Sequence, residues 1–387
     1  MMRAAPLLAI VMACGRVGFD ERVPPDAAPC DALACIDPTF GVVTVTVPGI
    51  AIGGYGDQAI ALDAANRIVI TGTGAIVARL EDTGGLDPTF GSSFGGSGYV
   101  ELGSGDGLAI AVAPDGSIVV AGAANGAGLV TTLDATGVVE TSIAPTFGGG
   151  AVALNGVVVD ASGRIIAGGQ ADFASFDLVG SAWLADGTPD PAFSEIDYDG
   201  GTGDEFATLA ASLAPDGGLD FVGQSYNGSN FDGLLLHATS EGIVQWHVAT
   251  DLGGSERYLA MIRDATGGIV VTGEQDSPAS TIALVATYSS EGALETPTML
   301  DFGGSDVGRG IARLADGRLV VGLRHGDGSR LVVLSAAGDV IGTFDLPVAQ
   351  TPNGIDDVIV DRSGRILVLG DAGAGSADIY VARVLVP

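Results

Sequence analysis

The sequence of 387 residues has no lysine: all 16 of its basic residues are arginine. P-loop phosphate binding, Schiff-base chemistry and Ser-Lys hydrolysis each need an ammonium or amine, so all three are excluded. Aromatic residues make up only 6% of the chain, and there are three histidines and three cysteines. Positive charge is scarce too, with 47 acidic residues giving a formal charge of −31. Such a field repels nucleic acid and anionic lipid surfaces and favours solubility, cations and basic partners. What is abundant is glycine, at 62 residues. Without a collagen period, that implies many tight turns. A hydrophobic content of 47% is enough to bury a core rather than remain disordered.

The first residues read as a targeting segment, residues 1–13. Arg3 supplies a positive start and Ala4 through Ala13 a short apolar run. That run is too short for a bilayer span, which needs about 20 residues. Val11-Met12-Ala13-Cys14 resembles a bacterial lipobox, with Met12 standing where a small residue is usual. Lipidation is expected at Cys14, and Gly15 after it favours the outer membrane. The plainer alternative is an ordinary signal peptide cleaved near Ala13. Residues 14–35 form a linker, with Val23-Pro24-Pro25-Asp26 as a stiff, solvated spacer. Export to an oxidising compartment predicts a disulfide between Cys30 and Cys35.

From residue 36 to 387 one unit recurs about every 50 residues: an apolar run, a turn, a second run, a third, and a second turn. The first turn falls at Asn66, Gly116, Gly163, Gly217, Gly267, Gly317 and Gly364. The second falls at Gly84, Gly137, Gly187, Gly242, Gly292 and Gly338, one copy fewer. Gly and Asn tolerate the positive φ of tight hairpins. Runs such as Ile118-Val119-Val120 and Leu319-Val320-Val321 are continuously apolar, as strands covered on both faces are. Short antiparallel sheets stacked on one another around an axis make a β-propeller, here of seven four-stranded blades. The last repeat stops after its third strand, near Leu385, and Val42 through Val47 lack a partner. The N-terminal strand is therefore expected to complete the last blade and close the ring.

Leu86-Asp87-Pro88-Thr89-Phe90-Gly91, followed by Pro114-Asp115-Gly116-Ser117-Ile118-Val119-Val120, resembles the bacterial delta-60 repeat. Phe302-Gly303-Gly304-Ser305-Asp306, and Leu252-Gly253-Gly254-Ser255-Glu256 leading to Gly267-Gly268-Ile269-Val270-Val271, resemble the seven-bladed SBBP propeller repeat. The resemblance spans nearly all of residues 36–387, with degenerate copies between 139 and 243. It implies an exported propeller with no shared catalytic residues.

Candidate sites are few. Gly91-Ser92-Ser93-Phe94-Gly95 matches a nucleophile-elbow pattern, but that elbow needs a helix after it and none follows. His237, His247 and His325 sit among strand residues rather than as a metal set. Trp183 and Trp246 read as blade packing. Asp197, Asp199, Asp204 and Glu205 form the densest acidic loop and a weak calcium candidate. Thr208 stands where an EF-hand has its bidentate Glu, so an EF-hand is rejected. Asp57, Asp106, Asp204, Glu256, Asp306 and Asp356 recur before the first strands. They would gather at one rim if the blades were equivalent, although repeated turn chemistry is the simpler source. The expectation is a monomeric, non-enzymatic lipoprotein of the cell envelope, without a cofactor unless calcium. It would bind or scaffold a protein or polymer, and would not bind nucleic acid. Alternatives are a propeller hydrolase or lyase with an axial site, or a purely structural envelope protein. Clustered arginine and histidine at the axis would favour the enzyme.

Overall fold

The computed structural model describes Cys30 and residues 33–387, apart from positions 48–57, 93–94, 174–175, 201–209, 265, 277, 352 and 374–377. Its strands form seven antiparallel sheets, six of them meanders in chain order and the seventh completed by N-terminal strands. We number these blades 1–7 and letter their strands A–D outward from the axis. The A strands are Ala59–Leu62, Asp106–Val112, Val152–Val159, Ala210–Leu213, Ser255–Arg263, Asp306–Arg313 and Asn353–Val360. Each contacts the A strand of the next blade, and the seventh contacts the first, so the ring is closed.

The turns form as the sequence predicts. All seven first-turn and all six second-turn positions have positive φ, from 64° at Asn66 to 92° at Gly116 and Gly317. The apolar runs divide their side chains between two neighbours. Ile68 and Ile70 of blade 1 pack toward blade 7 against Leu367 and Leu369, whereas Val69 packs toward blade 2 against Ile118 and Val120. The buried hydrophobic residues fall into seven clusters, one per junction between adjacent blades. Alternation is absent from the B and C strands because neither face meets water. The exposed D strands do alternate, or are polar: Val244–Thr250 and Val340–Asp345 each expose every second or third residue.

Blade 7 takes its outer strand from the N-terminus. Val42–Thr46 pairs with Asp378–Leu385 in the register Val42↔Ala382 to Thr46↔Asp378, and Cys35–Ile36 continues along the same edge. Cys30 and Cys35 are joined in a disulfide next to this edge.

Between those two N-terminal strands lies Asp37-Pro38-Thr39-Phe40-Gly41, a second copy of the motif at Asp87. In both, the Asp bonds the Thr amide and hydroxyl through Oδ1 and a buried arginine through Oδ2. Asp37 takes Thr39 N at 2.8 Å and Arg383 Nε at 2.7 Å; Asp87 takes Thr89 N at 2.9 Å and Arg79 Nε at 2.8 Å. The arginine lies over the motif's Phe, Arg383 over Phe40 at 4.7 Å and Arg79 over Phe90 at 4.6 Å. Each arginine also reaches a second-turn carbonyl of the next blade, Asp82 from Arg383 and Ala135 from Arg79. Asp190, in a looser copy, does the same through Arg164 and Ser240. The motif that carries the family resemblance is thus a clamp between blades.

Candidate functional site: the axial channel

The A strands enclose a channel of about 270 Å³. In five of them the pairing register slips by one residue, which makes Leu108, Asn155, Leu259, Arg309 and Asp356 the extra residues of β-bulges. Each stands eight positions before its turn glycine, and all five line the channel. Gln58 holds this position in blade 1 and lines it too; Leu209 of blade 4 lies outside the described residues. A bulge interrupts alternation and re-aims a side chain, here toward the axis. The sequence shows no period-2 signal for these residues because the bulge removes it.

The channel wall is rich in polar groups without protein partners. Both amide atoms of Gln58, Oδ1 of Asn155 and Nε of Arg309 are buried with no hydrogen bond among the described residues. Buried polar atoms are normally satisfied, so a concentration of exceptions marks a place for a polar ligand or ordered water.

One sector, built by blades 5–7, is charged. Arg324 Nη2 lies 2.9 Å from Asp371 Oδ1 and 3.4 Å from Asp356 Oδ1. Its guanidinium crosses Gly354, where a Cβ would come within 2.6 Å of it and push it aside. Arg257 pairs with Glu274. Arg309 sits among these groups: burial lowers its pKa, Arg324 and Arg257 add to that, and Asp356 and Glu274 oppose it. Of these arginines Arg309 lines the channel, with Arg257 and Arg324 near enough to act on it, an arrangement the sequence did not foretell because they come from unlike positions on A and B strands. No histidine lines the channel.

One residue further along, the A strands carry Ala59, Ala109, Gly156, Ala210, Ala260 and Gly310, and in blade 7 Asp357. The backbones approach closely at this level; a Cβ on Gly310 would lie 2.5 Å from Val358 N. Asp357 instead bridges the seam where the ring closes. Its Oδ2 accepts from Ile60 N of blade 1 at 3.2 Å and its Oδ1 from Val358 N at 2.7 Å. Burial raises its carboxyl to about 6 against the pull of those two amides. A carboxyl so perturbed in a channel is a functional-site marker. Aligning the repeats on their turn glycines would have exposed it as the odd residue in a row of Ala and Gly.

The sites read from the sequence lie elsewhere. Cys14, Ser93 and Phe94, and Asp204 and Glu205 of the acidic loop, fall outside the described residues, while Asp197 and Asp199 lie at and just beyond the short outer strand Ile196–Tyr198. In the series of acids before the A strands, Asp57 and Asp204 are likewise outside the described residues. The others do not form a ring of free charge. Asp106 accepts from Gly74 N, Glu256 from Gly254 N at 2.9 Å, and Asp306 from Phe302 N at 2.8 Å. The contacts of Glu256 and Asp306 are local and that of Asp106 reaches a turn of blade 1, whereas Asp356 alone of the described members lines the channel. His237 bonds Asp220 and His325 bonds Asp306 through Nδ1, at 2.9 and 2.6 Å. His247 lies against the ring of Tyr198 at 4.9 Å. Trp183 is buried in the blade 2–3 cluster, and Trp246 stacks on His237 at 5.2 Å.

No family model matches this sequence. No curated protein matches it either. Solved structures do resemble it. A streptogramin B lyase has a TM-score of 0.60 at 10% identity, over 90% of this chain and 98% of that one. The WD40 β-propeller domain of Doa1 has a TM-score of 0.53 at 11% identity, over 86% and 94%. A protein of unknown function from Dyadobacter fermentans has a TM-score of 0.51 at 14% identity, over 90% and 100%. At such identities the likeness extends to the fold alone: this chain is a seven-bladed β-propeller.

Proposed function

We propose that this chain is a non-catalytic binding or scaffolding propeller of the cell envelope, a lipoprotein anchored through Cys14, whose axial channel receives a polar group of its partner. The observation that carries this is the concentration of unpartnered polar atoms on the channel wall, beside the Arg309–Arg324–Asp356 sector. Gln58, Asn155 and Arg309 together offer donors and an acceptor to an incoming group, and the charged sector would orient it. Capture from envelope extracts tests the idea: the wild-type chain should retain a saturable partner, and Arg309→Ala should weaken that retention at least tenfold. Equal retention by both would remove the channel from the function, and no saturable partner at all would make the chain a structural component.

The anchor has its own check. A palmitate analogue fed to cells should label the wild-type chain and leave Cys14→Ser unlabelled; labelling of both would reject lipidation at Cys14.

A propeller lyase or hydrolase is the second reading, favoured by Asp357, whose carboxyl titrates near neutrality. Both its oxygens already accept backbone N–H groups, which leaves it poorly placed to move a proton.

A further inference from the structure

Outside the channel, one group of buried carboxylates lacks a basic partner among the described residues. Asp37, Asp63, Asp87, Asp220, Glu274, Asp306, Asp356 and Asp361 are buried acids, and each lies within ion-pair distance of an arginine or histidine. Asp232 and Glu256 are equally buried, at 8% and 0% exposure, and neither has a basic partner among the described residues. They converge with a third carboxylate, that of the exposed Asp251. One oxygen from each of the three lies within 4.8 Å of the others.

Three separate segments build this cluster at the junction of blades 4 and 5. Asp232 is the second residue of Phe231–Ala238, Asp251 follows Val244–Thr250, and Glu256 is the second residue of Ser255–Arg263. Each carboxylate is held in place through one of its oxygens. Asp232 Oδ1 accepts from Asn227 Nδ2 at 2.8 Å, and Asp251 Oδ1 from Gly253 N at 2.7 Å. Glu256 Oε1 accepts from Gly254 N at 2.9 Å and from Gln275 Nε2 at 2.8 Å. The other oxygen of Glu256 is buried and takes no hydrogen bond. A fully buried carboxylate oxygen with no donor, on a side chain that converges with two more carboxylates, is unfavourable unless a cation joins them.

We propose that Asp232, Asp251 and Glu256 form a calcium site. Two oxygens that each lie about 2.4 Å from one calcium ion are at most about 4.8 Å apart, a limit these three meet; magnesium gives up its waters reluctantly and is usually held by one or two carboxylates rather than three. The donors are all hard oxygens, without the nitrogen or sulfur that zinc prefers. Burial, together with the charge of Asp251, raises the pKa of Asp232, the strain that a bound cation would relieve. The corresponding junction of blades 5 and 6 shows the contrast. There Asp306 has His325 as its partner, and the position of Asp232 is occupied by Ile282. The site lies in a different loop from the acidic stretch around Asp197 and Asp199, and does not depend on the use of the axial channel.

The test is equilibrium dialysis of the purified, chelator-stripped chain against radioactive calcium, with thermal unfolding measured in parallel. The wild-type chain should bind one calcium per molecule, with an affinity in the range of extracellular modules, about 10⁻⁴–10⁻³ M, and should melt higher in calcium than in magnesium. Asp251→Asn, at an exposed position that does not threaten folding, should weaken binding at least tenfold, and Glu256→Gln should abolish it while leaving the calcium-free protein folded by circular dichroism. Asp199→Asn should bind like wild type. The proposal is overturned if the wild-type chain binds no calcium at 10⁻² M, if Asp251→Asn binds as tightly as wild type, or if Asp199→Asn alone removes the binding.

Discussion

Arg383→Met should lower the stability of the chain by about 3–5 kcal/mol, the usual result of breaking a buried ion pair by removing one partner. In a protein of this size that corresponds to a fall in Tm on the order of 5–10 °C. The reasons are local and countable. Arg383 is 2% exposed and holds four groups at once: Asp37 Oδ2, Thr39 Oγ1, and both the carbonyl and the carboxylate of Asp82. Methionine would preserve much of the contact with Phe40 but would leave Asp37 ionised and buried without its near partner, with only Arg365 at 4.0 Å. Asp37 belongs to the segment that links the two N-terminal strands of blade 7, and Asp82 to blade 1, so this arginine fastens the ring closure from both sides. Two further outcomes follow. Proteolysis should cut the variant first within residues 33–47, because the N-terminal strand is released before the blades separate. The double variant Arg383→Met with Asp37→Asn should recover part of the loss, since it no longer buries an unpaired charge. A variant that melts within 1 °C of wild type would show that Arg383 is not a clamp. Acid should act in the same direction. Burial would raise the pKa of Asp37, but Thr39 and Arg383 hold it below the usual carboxylate range. Its contribution is thus fully present above about pH 4 and is lost as the pH falls through the lowered value.

How much of this architecture could be read from residues alone depended on whether one residue type was forced by local geometry. The thirteen hairpin positions were, because only Gly and Asn accept the φ found there, and so the blade count followed. The continuous Val and Ile runs of the B strands were also informative, because a strand sandwiched between neighbours has no wet face to mark. Closure followed from a count: a strand at one end and a vacancy at the other. The channel was not readable in this way. Its wall is made of bulged residues, one per blade, that follow no period and range from Leu108 to Arg309 and Asp356. The calcium cluster was hidden for a different reason. The acidic loop at Asp197 and Asp199 has its carboxylates close in sequence, whereas Asp232, Asp251 and Glu256 are brought together by the pairing of the third and fourth strands of blade 4 and its packing against the first strand of blade 5. The delta-60-like motif at Asp87 suggested a family, but its chemistry became clear only when Arg79 and the carbonyl of Ala135 were placed against it.

Asp357→Asn should make the protein more stable at neutral pH, an unusual outcome for a substitution at a buried, hydrogen-bonded residue. The carboxyl of Asp357 is raised from 3.8 in an ordinary setting to about 6, by burial at the seam between blades 7 and 1. A tenfold change in an acid constant is worth about 1.4 kcal/mol, so the ionised group destabilises the fold by about 3 kcal/mol above pH 7. Below about pH 3 the group is protonated in the folded and unfolded chains alike, and this penalty disappears. Stability from this residue therefore falls as the pH rises from about 4 to 6 and is flat on either side. Asparagine retains a carbonyl oxygen for one of the two amides, Ile60 N or Val358 N, at a loss of about 1 kcal/mol for the other. The net expectation is a gain of about 2 kcal/mol at pH 8 and a loss of about 1 kcal/mol at pH 3, measured by urea unfolding at the two values. A variant weaker than wild type at pH 8 would mean that the ionised carboxylate stabilises the seam. Six blades manage this position with Ala or Gly, so ring geometry does not require an acid in the seventh. A group that weakens the fold where simpler residues suffice is a common feature of binding and reaction sites, where activity and stability conflict. The carboxylate of Asp357 faces the same channel as Gln58, Asn155 and Arg309, and a partner bringing a hydrogen-bond donor or positive charge there would offset its destabilisation. Occupancy of the channel should then be strongest above pH 6, where Asp357 is charged, and Asp357→Asn should remove that pH dependence.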